Sequence, residues 1–375
     1  MLSLKSKSAQ GLAGLLLAVL AIILVAGLWP FDPFPANDVT WLKSGKGLNF
    51  VRNSLLLSRS PLDLADPQWS SISLELWLQP AGSWQSKAIL SIYSPENPRQ
   101  LSLVQYHNLL ILTKNRRDTN GRLVDSTIGV EKAVYPDTPV LVTITGGPQA
   151  ASIYLNGKLA RTFPGYTLNG SDLSGQLIFG TSPFERQSWH GEMRGLAIYG
   201  AELGPADVLA HYEKWMNSRQ QALAKELVPT TFYDFHEGTG ATIHDLNSAS
   251  PDLLIPKYYF VPHKPMLQWP WKEYRFSRSY ALDVAINICG FIPLGFLLSA
   301  FLWSTSRIAR PVLTTIFIGA LVSFTIEFLQ AFIPERSSGM TDIITNTLGT
   351  AIGAIFFVQH GVIAVFTRIG FHRPK

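Results

Sequence analysis

The sequence predicts a multi-domain molecule, an all-α bundle of four transmembrane helices with an all-β sandwich set into it. Three observations lead there. Only 15% of the 375 residues are charged, against roughly 25% in soluble domains. The stretches Gly11–Trp29, Val284–Ser306, Pro311–Ile326 and Ile343–Val358 contain no charged residue. Between Pro30 and Ser279 the composition is that of an ordinary soluble domain, and short runs of alternating apolar residues recur there between turn signals, the mark of antiparallel strands.

The first apolar run, GLAGLLLAVLAIILVAGLW (Gly11–Trp29), meets the requirement of about 20 apolar residues for a spanning helix. It is longer than the core of a secretory signal, and no A-x-A pattern follows, so it is expected to remain as the first helix. Residues 1–35 then form a short cytoplasmic tail and that helix. Residues 36–262 form the sandwich. Within it SISLELWL (Ser71–Leu78) puts Ile72, Leu74, Leu76 and Leu78 on one face. LVTIT (Leu141–Thr145), ASIYLNGKLA (Ala151–Ala160) and GQLIFG (Gly175–Gly180) repeat the pattern, and Asn156-Gly157 is a hairpin signal. Residues 263–279 form a linker whose QWPWKEYRF (Gln268–Phe276) supplies Trp269, Trp271, Tyr274 and Phe276 for an interfacial aromatic belt. Residues 280–375 carry three more spans, expected at 281–303, 311–333 and 342–366.

Charge gives an orientation. Lys5, Lys7, Arg307, Arg310, Arg368, Arg373 and Lys375 fall on one side, while the short 334–341 loop carries only Arg336. The positive-inside rule then puts both termini in the cytoplasm and residues of about 30–279 outside it, in a bacterial-type inner membrane. Lys264, Lys272, Arg275 and Arg278 oppose this, but they flank a long translocated segment, which largely escapes the rule. The net charge of +5 and a pI near 9.2 come without a nucleic-acid-binding motif, so nucleic acid is not an expected partner and anionic lipid is. The single cysteine, Cys289, excludes an intrachain disulfide or a thiolate metal site and is expected as a small buried apolar group. The eight histidines show neither H-x₃-H nor HExxH spacing, so no zinc site is expected.

The spans carry an unexpected set of polar groups. Ser323, Glu327 and Gln330 stand at i, i+4, i+7 on one helix face; Asp342, Asn346, Gly349 and Gly353 continue such a series on another; Asp283, Asn287 and Gly290 repeat it on a third. All three stripes sit toward the same membrane surface, with Arg336 in the loop between two of them. Polar residues within spans usually face the bundle interior and mark function, although hydrogen bonds between helices use the same residue types. For Glu327 the nearest partners by depth are Arg336 and Asn346. GTAIG (Gly349–Gly353) would allow close helix approach, and Pro293 could kink the second helix.

Two families resemble these residues. ISLELWLQP, ASIYLNGKLARTF, LIFGTSPFERQSWHGEMRGLAIYGAELGPADVLAHY and FYDFHEGTGATIHDLNS resemble the concanavalin A-like jelly roll in its laminin G-type form. That resemblance implies a two-sheet sandwich that binds glycans or proteins and, in some members, hydrolyses sugars. Hydrolysis needs two carboxylates, which the hydrolases of this superfamily present as E-x-D-x-x-E. Glu75 is followed by Leu76 and Trp77, so the partner acid is missing and a non-catalytic domain is expected, with Glu75 free to face solvent. Asp234, Glu237, Asp245 and Asn247 are oxygen ligands close enough in sequence to be weak Ca²⁺ candidates, with surface turn polarity the competing reading. Trp84, Tyr106, Tyr166 and Trp189 are the aromatics available to a sugar.

The second resemblance is carried by NICGFIPLGFLL (Asn287–Leu298), SFTIEFLQAFIPERSSGMTDIITNTLGTAIG (Ser323–Gly353) and GLWPFDPFP (Gly27–Pro35). These resemble the VanZ-like membrane family, named after a protein linked to resistance to the glycopeptide teicoplanin. The resemblance marks Asn287, Glu327, Gln330, Arg336, Asp342 and Asn346 as motif positions but implies no defined reaction. The expected function is that of an integral membrane protein of the cell envelope. It would bind a lipid headgroup or lipid-linked glycan at the outer leaflet and take a glycan or protein on the sandwich. The alternatives are a membrane enzyme working through Glu327, Arg336 and Asp342 on a lipid-linked substrate, and a passive anchor displaying a binding module.

Overall fold

The computed structural model describes residues 2–65, 69–117, 121–217, 229–274, 277–305, 308–369 and 371. The chain divides into two compact units, Phe34–His263 and a second made of Met1–Pro33 with Lys264–Lys375.

The first unit is a sandwich of two antiparallel eight-stranded sheets. Its strands are β1 (Thr40–Trp41), β2 (Leu48–Phe50), β3 (Leu56–Ser58), β4 (Ile72–Pro80), β5 (Ser86–Tyr93), β6 (Leu101–Tyr106), β7 (Leu109–Arg117), β8 (Leu123–Val130), β9 (Val140–Gly146), β10 (Ala150–Leu155), β11 (Lys158–Pro164), β12 (Gln176–Phe179), β13 (Gly191–Tyr199), β14 (Thr231–Tyr233), β15 (Thr242–Ile243) and β16 (Leu253–Leu254). One sheet runs β1-β2-β13-β4-β9-β10-β11, with β14 against β13; the other runs β15-β16-β3-β12-β5-β6-β7-β8. Ile72, Leu74, Leu76 and Leu78 of β4 share one core with Val142 and Ile144 of β9 and with Leu90, Ile92, Leu103 and Leu112 of the facing sheet. Burying each such side chain contributes about 1.5–3 kcal/mol. The β10–β11 hairpin turns through Asn156 (φ 51°) and Gly157 (φ 78°), both left-handed, as a two-residue turn of this kind needs.

The sandwich departs from simple alternation at the back of β4. Ser73 and Glu75 point away from the main core yet are fully buried. A helix, α3 (Pro205–Met216), brings Trp215 into a second core with Leu141, Ala197, Tyr199 and Phe232. A four-residue turn, α2 (Gly170–Leu173), precedes β12. The two ends of the unit are paired to each other. Ala36 bridges Tyr258, Asn37 N–H donates to Lys257 O at 3.2 Å and Tyr259 N–H to Pro35 O at 2.8 Å. Asn37 Nδ2 donates to Leu55 O (2.7 Å) and Pro256 O (2.9 Å). Entry and exit therefore coincide, which suits a domain inserted into another chain segment.

The second unit is helical: α1 (Leu2–Leu28), α4 (Pro270–Glu273), α5 (Arg278–Thr305), α6 (Pro311–Gln330), α7 (Met340–Phe357) and α8 (His360–Arg368). Four of these contain stretches long and apolar enough to cross a membrane: Gln10–Leu28, Arg278–Thr305, Pro311–Gln330 and Met340–Phe357. The last expected span, 342–366, is thus two helices. Gln359 takes an extended conformation (ψ 138°) as the cap of α8, and the polar Gln359-His360-Gly361 step breaks the apolar run. Phe366 then packs on Phe296 and Phe357. Helix α6 likewise ends at Gln330, short of 333. Pro293 lies inside an uninterrupted α5. Close approach comes from glycine: a Cβ on Gly349 would stand 2.1 Å from Ile288 O, and one on Gly353 2.1 Å from Ile292 O. The α5 and α7 backbones are in contact there. Cys289 is exposed on α5 rather than buried. In the linker, Trp269 and Trp271 stack at 4.8 Å and are exposed with Tyr274. Of the residues used for topology, Arg275, Phe276, Arg307, Arg373 and Lys375 lie outside the described residues, as do the side chains of Lys5 and Lys7.

Candidate functional site

Polar groups of the three stripes of the helical unit pair across the helices, while Asp283 and Gln330 do not join these pairs. Asn287 Nδ2 of α5 donates to Asp342 Oδ1 of α7 at 2.7 Å. Asn346 Nδ2 of α7 donates to Ser323 Oγ of α6 at 2.9 Å. Glu327, only 2% exposed, accepts the Gly339 N–H on Oε2 at 2.8 Å. Asp283 is exposed at the start of α5 and joins none of these bonds. The i, i+4, i+7 spacing sets these side chains on one face of each helix, because a helix turns 3.6 residues per turn; Asp283 lies one turn before Asn287.

The partners expected for Glu327 by depth are not the ones it has. Arg336 turns instead to the end of α1, where Nε donates to Trp29 O and an Nη to Ala26 O, both at 2.8 Å. Gln330 Nε2 donates to Gly27 O at 2.8 Å. Three side-chain donors thereby satisfy carbonyls that the last turn of a helix leaves open. Lys264 Nζ donates to Gln330 O (2.8 Å), the last carbonyl of α6, and to Ile333 O (2.6 Å) just beyond it. At the start of α7 the leading N–H groups go to carboxylates: Gly339 to Glu327, and Thr341 to Glu273 Oε2 at 3.1 Å. Negative groups are favoured at a helix N-terminus. After these bonds, Asn346 Oδ1 remains buried without a hydrogen-bond partner, 23 residues along the chain from the hydroxyl that takes its amide. Glu273, which belongs to this arrangement, lies in the linker, where no periodic repeat points to it.

In the sandwich, Glu75 does not face solvent. It is wholly enclosed, accepting from Tyr199 OH (3.0 Å), Trp215 Nε1 (2.9 Å) and Thr143 Oγ1 (3.4 Å), with His211 Nδ1 at 2.9 Å. A carboxylate so placed holds α3 to the sheet and has no access to a sugar. The Ca²⁺ candidates are each engaged separately. Asp245 accepts from the N–H groups of Phe232, Ala249 and Ser250 at 2.7–2.9 Å. Glu237 accepts from His244 N–H at 2.8 Å, Asp234 pairs with His236, and Asn247 donates to Pro229 O. Burial raises the Asp234 pKa, and the His236 contact opposes that. Among the described residues no group of three His, Cys, Asp or Glu side chains could hold a metal ion. Of the sugar candidates, Tyr166 and Trp189 are core residues, whereas Trp84 and Tyr106 are exposed.

Fold and cluster together define a membrane protein that carries a lectin-like sandwich. The families follow from sequence: residues 227–364 match VanZ/LLP1, and residues 58–209 match the concanavalin A-like lectin/glucanases superfamily. The chain therefore bears a VanZ-like domain and a concanavalin A-like domain. Solved structures similar to it include the botulinum neurotoxin type G receptor binding domain, at 17% identity and a TM-score of 0.37, covering 48% of this chain and 45% of that one. Another is the binding domain of botulinum neurotoxin DC in complex with rat synaptotagmin II, at 17% identity and a TM-score of 0.35, with the same coverage. The chain spans less than half the length of these domains. A comparison with curated proteins finds no match.

Proposed function

We propose that this protein is a binding protein of the cell envelope. Its helical unit holds the polar group of a membrane lipid or lipid-linked glycan, and its sandwich, outside the cytoplasm, takes a glycan or protein ligand. The observation that carries the first part is polar capacity left over inside an apolar bundle. Asn346 Oδ1 is buried and unbonded, beside an α6 stripe that includes the buried Ser323 and Glu327. An unsatisfied buried acceptor costs about 1–3 kcal/mol, and a donor from a bound polar group would satisfy Asn346 Oδ1. Arg336 is committed to the α1 carbonyls, so the reading in which it holds a substrate anion for catalysis has less support.

The test is an inventory by mass spectrometry of lipids and glycans retained by the protein extracted in native-membrane discs. Glu327→Gln keeps an acceptor for the Gly339 N–H and removes the acidic group. The expected result is an unchanged melting temperature with depletion of one retained polar lipid or lipid-linked glycan. An inventory identical to that of the wild type would reduce the cluster to contacts between helices.

A further inference from the structure

One rim of the sandwich carries exposed rings on a rigid base. Trp84, in the turn between β4 and β5, is 90% exposed. Its ring stands perpendicular to that of His107 (86°, centroids 5.0 Å apart), and His107 stands perpendicular to Tyr106 (81°, 4.6 Å). Tyr106 is 47% exposed. At that exposure most of the Trp84 indole is open to a ligand.

The base is built from two glutamines. Gln85 Oε1 accepts His190 N–H at 2.7 Å, and Gln85 Nε2 donates to His190 O (2.8 Å) and Gly82 O (3.2 Å). Gln105, 1% exposed, donates through Nε2 to Gly82 O (2.9 Å) and His107 O (3.0 Å) and accepts Trp189 Nε1–H on Oε1 at 2.7 Å. His107 N–H donates to Gln85 O at 2.7 Å. The turns bearing Trp84 and His107 are thus tied to one another and to the core indole of Trp189. His107 is held at φ 55°, a left-handed conformation that a non-glycine residue keeps only where its surroundings enforce it.

We propose that Trp84, Tyr106 and His107 form a carbohydrate-stacking platform for the apolar face of a pyranose. The assignment rests on the reading of the sandwich as a ligand-binding domain and names its ligand class. Three features select a saccharide. The exposed rings are amphipathic, each joining a flat apolar face to a hydroxyl or N–H that can meet sugar hydroxyls. Three rings are far too few for a stable protein interface, which covers about 800 Å² on each partner. The turns that carry the rings are tied together, which limits the ordering that stacking costs.

The experiment uses the full chain in nanodiscs free of sugar-headed detergent, titrated with the tetrasaccharides of β-1,4-glucose, α-1,4-glucose and β-1,4-N-acetylglucosamine. Indole fluorescence and calorimetry read binding. At least one tetrasaccharide is expected to bind. Trp84→Ala should weaken it about tenfold or more, the scale of a lost aromatic contact, and Trp84→Phe should weaken it less, both without a change in melting temperature. Saccharide binding that survives Trp84→Ala would overturn the platform while leaving the sandwich a glycan-binding domain. Failure of all three to bind at millimolar concentration would overturn the carbohydrate assignment as well. The lipid inventory of Glu327→Gln stands or falls independently of either result.

Discussion

Glu75 shows how far one side chain's surroundings decide its role. On β4 it alternates with core leucines and occupies the position of a solvent-facing acid, yet four polar side chains from β9, β13 and α3 converge on it. Removing the carboxylate would strand several buried donors. Glu75→Ala is therefore expected to destabilise the sandwich by about 3–5 kcal/mol, measured by thermal unfolding followed through β-sheet circular dichroism. Leu76→Ala, on the other face, should cost about 2–5 kcal/mol through a cavity. Glu185 makes a prediction about pH. Its carboxylate accepts Ala88 N–H on both oxygens, at 3.0 and 2.9 Å. Burial raises its pKa to about 6 from 4.5, with the Ala88 bonds and Lys87 opposing. Because the folded value lies above the unfolded one, the folded state binds more protons between them, and this group's contribution to stability falls as pH rises from about 4.5 to 6. Glu185→Gln should remove that component, so the melting-temperature difference between variant and wild type should grow in the variant's favour across this window. A difference independent of pH would refute the assignment.

At the scale of elements, the helical unit is held by two devices that differ in kind. One is shape. The α5–α7 contact exists because Gly349 and Gly353 admit the carbonyls of Ile288 and Ile292. Gly353→Val should force the backbones apart and lower the melting temperature or abundance of the detergent-extracted protein. Gly290→Ala, on the same α5 where a Cβ meets nothing within 4 Å, should be tolerated. The other device is the satisfaction of helix ends. Gln330 and Arg336 take the last carbonyls of α1, and Glu327 and Glu273 take the first N–H groups of α7. Arg336→Ala is thus expected to lower stability, while Glu327→Gln, which preserves the hydrogen bond, is expected to spare it and alter bound lipid. Equal melting temperatures for wild type and Arg336→Ala would contradict this division of roles.

At the scale of the whole molecule, a β-rich unit with paired ends interrupts a helical unit between its first and second spans. The charge pattern supports a sandwich outside the cytoplasm. In a Cys289→Ala background, a cysteine at Ser171 should react with a membrane-impermeant maleimide in intact spheroplasts, and a cysteine at Thr305 should react only after permeabilisation. The reverse pattern would invert the topology. The VanZ-like match begins at residue 227, ahead of α4 and α5, so in sequence it overlaps the last segment of the sandwich unit.

The sequence by itself determined the two classes of structure and their order. Period-2 alternation, the Asn156-Gly157 turn and four long apolar runs are local signals, and burial of a strand face or of a lipid-length helix follows from them directly. It also determined which helix faces of α6 and α7 carry polar groups, because side-chain direction along a helix depends on spacing alone. Tertiary structure decided which groups meet. Arg336 lies nine residues from Glu327 yet bonds α1, some three hundred residues away. Glu75 is enclosed by a helix that begins 130 residues later. Trp84 and Trp189, alike as aromatic candidates in the sequence, became an exposed ring and part of its buried support. Pairing depends on where distant segments come to rest, and hydrogen-bond partners and solvent access are properties of that packing, which residue type and periodicity do not encode.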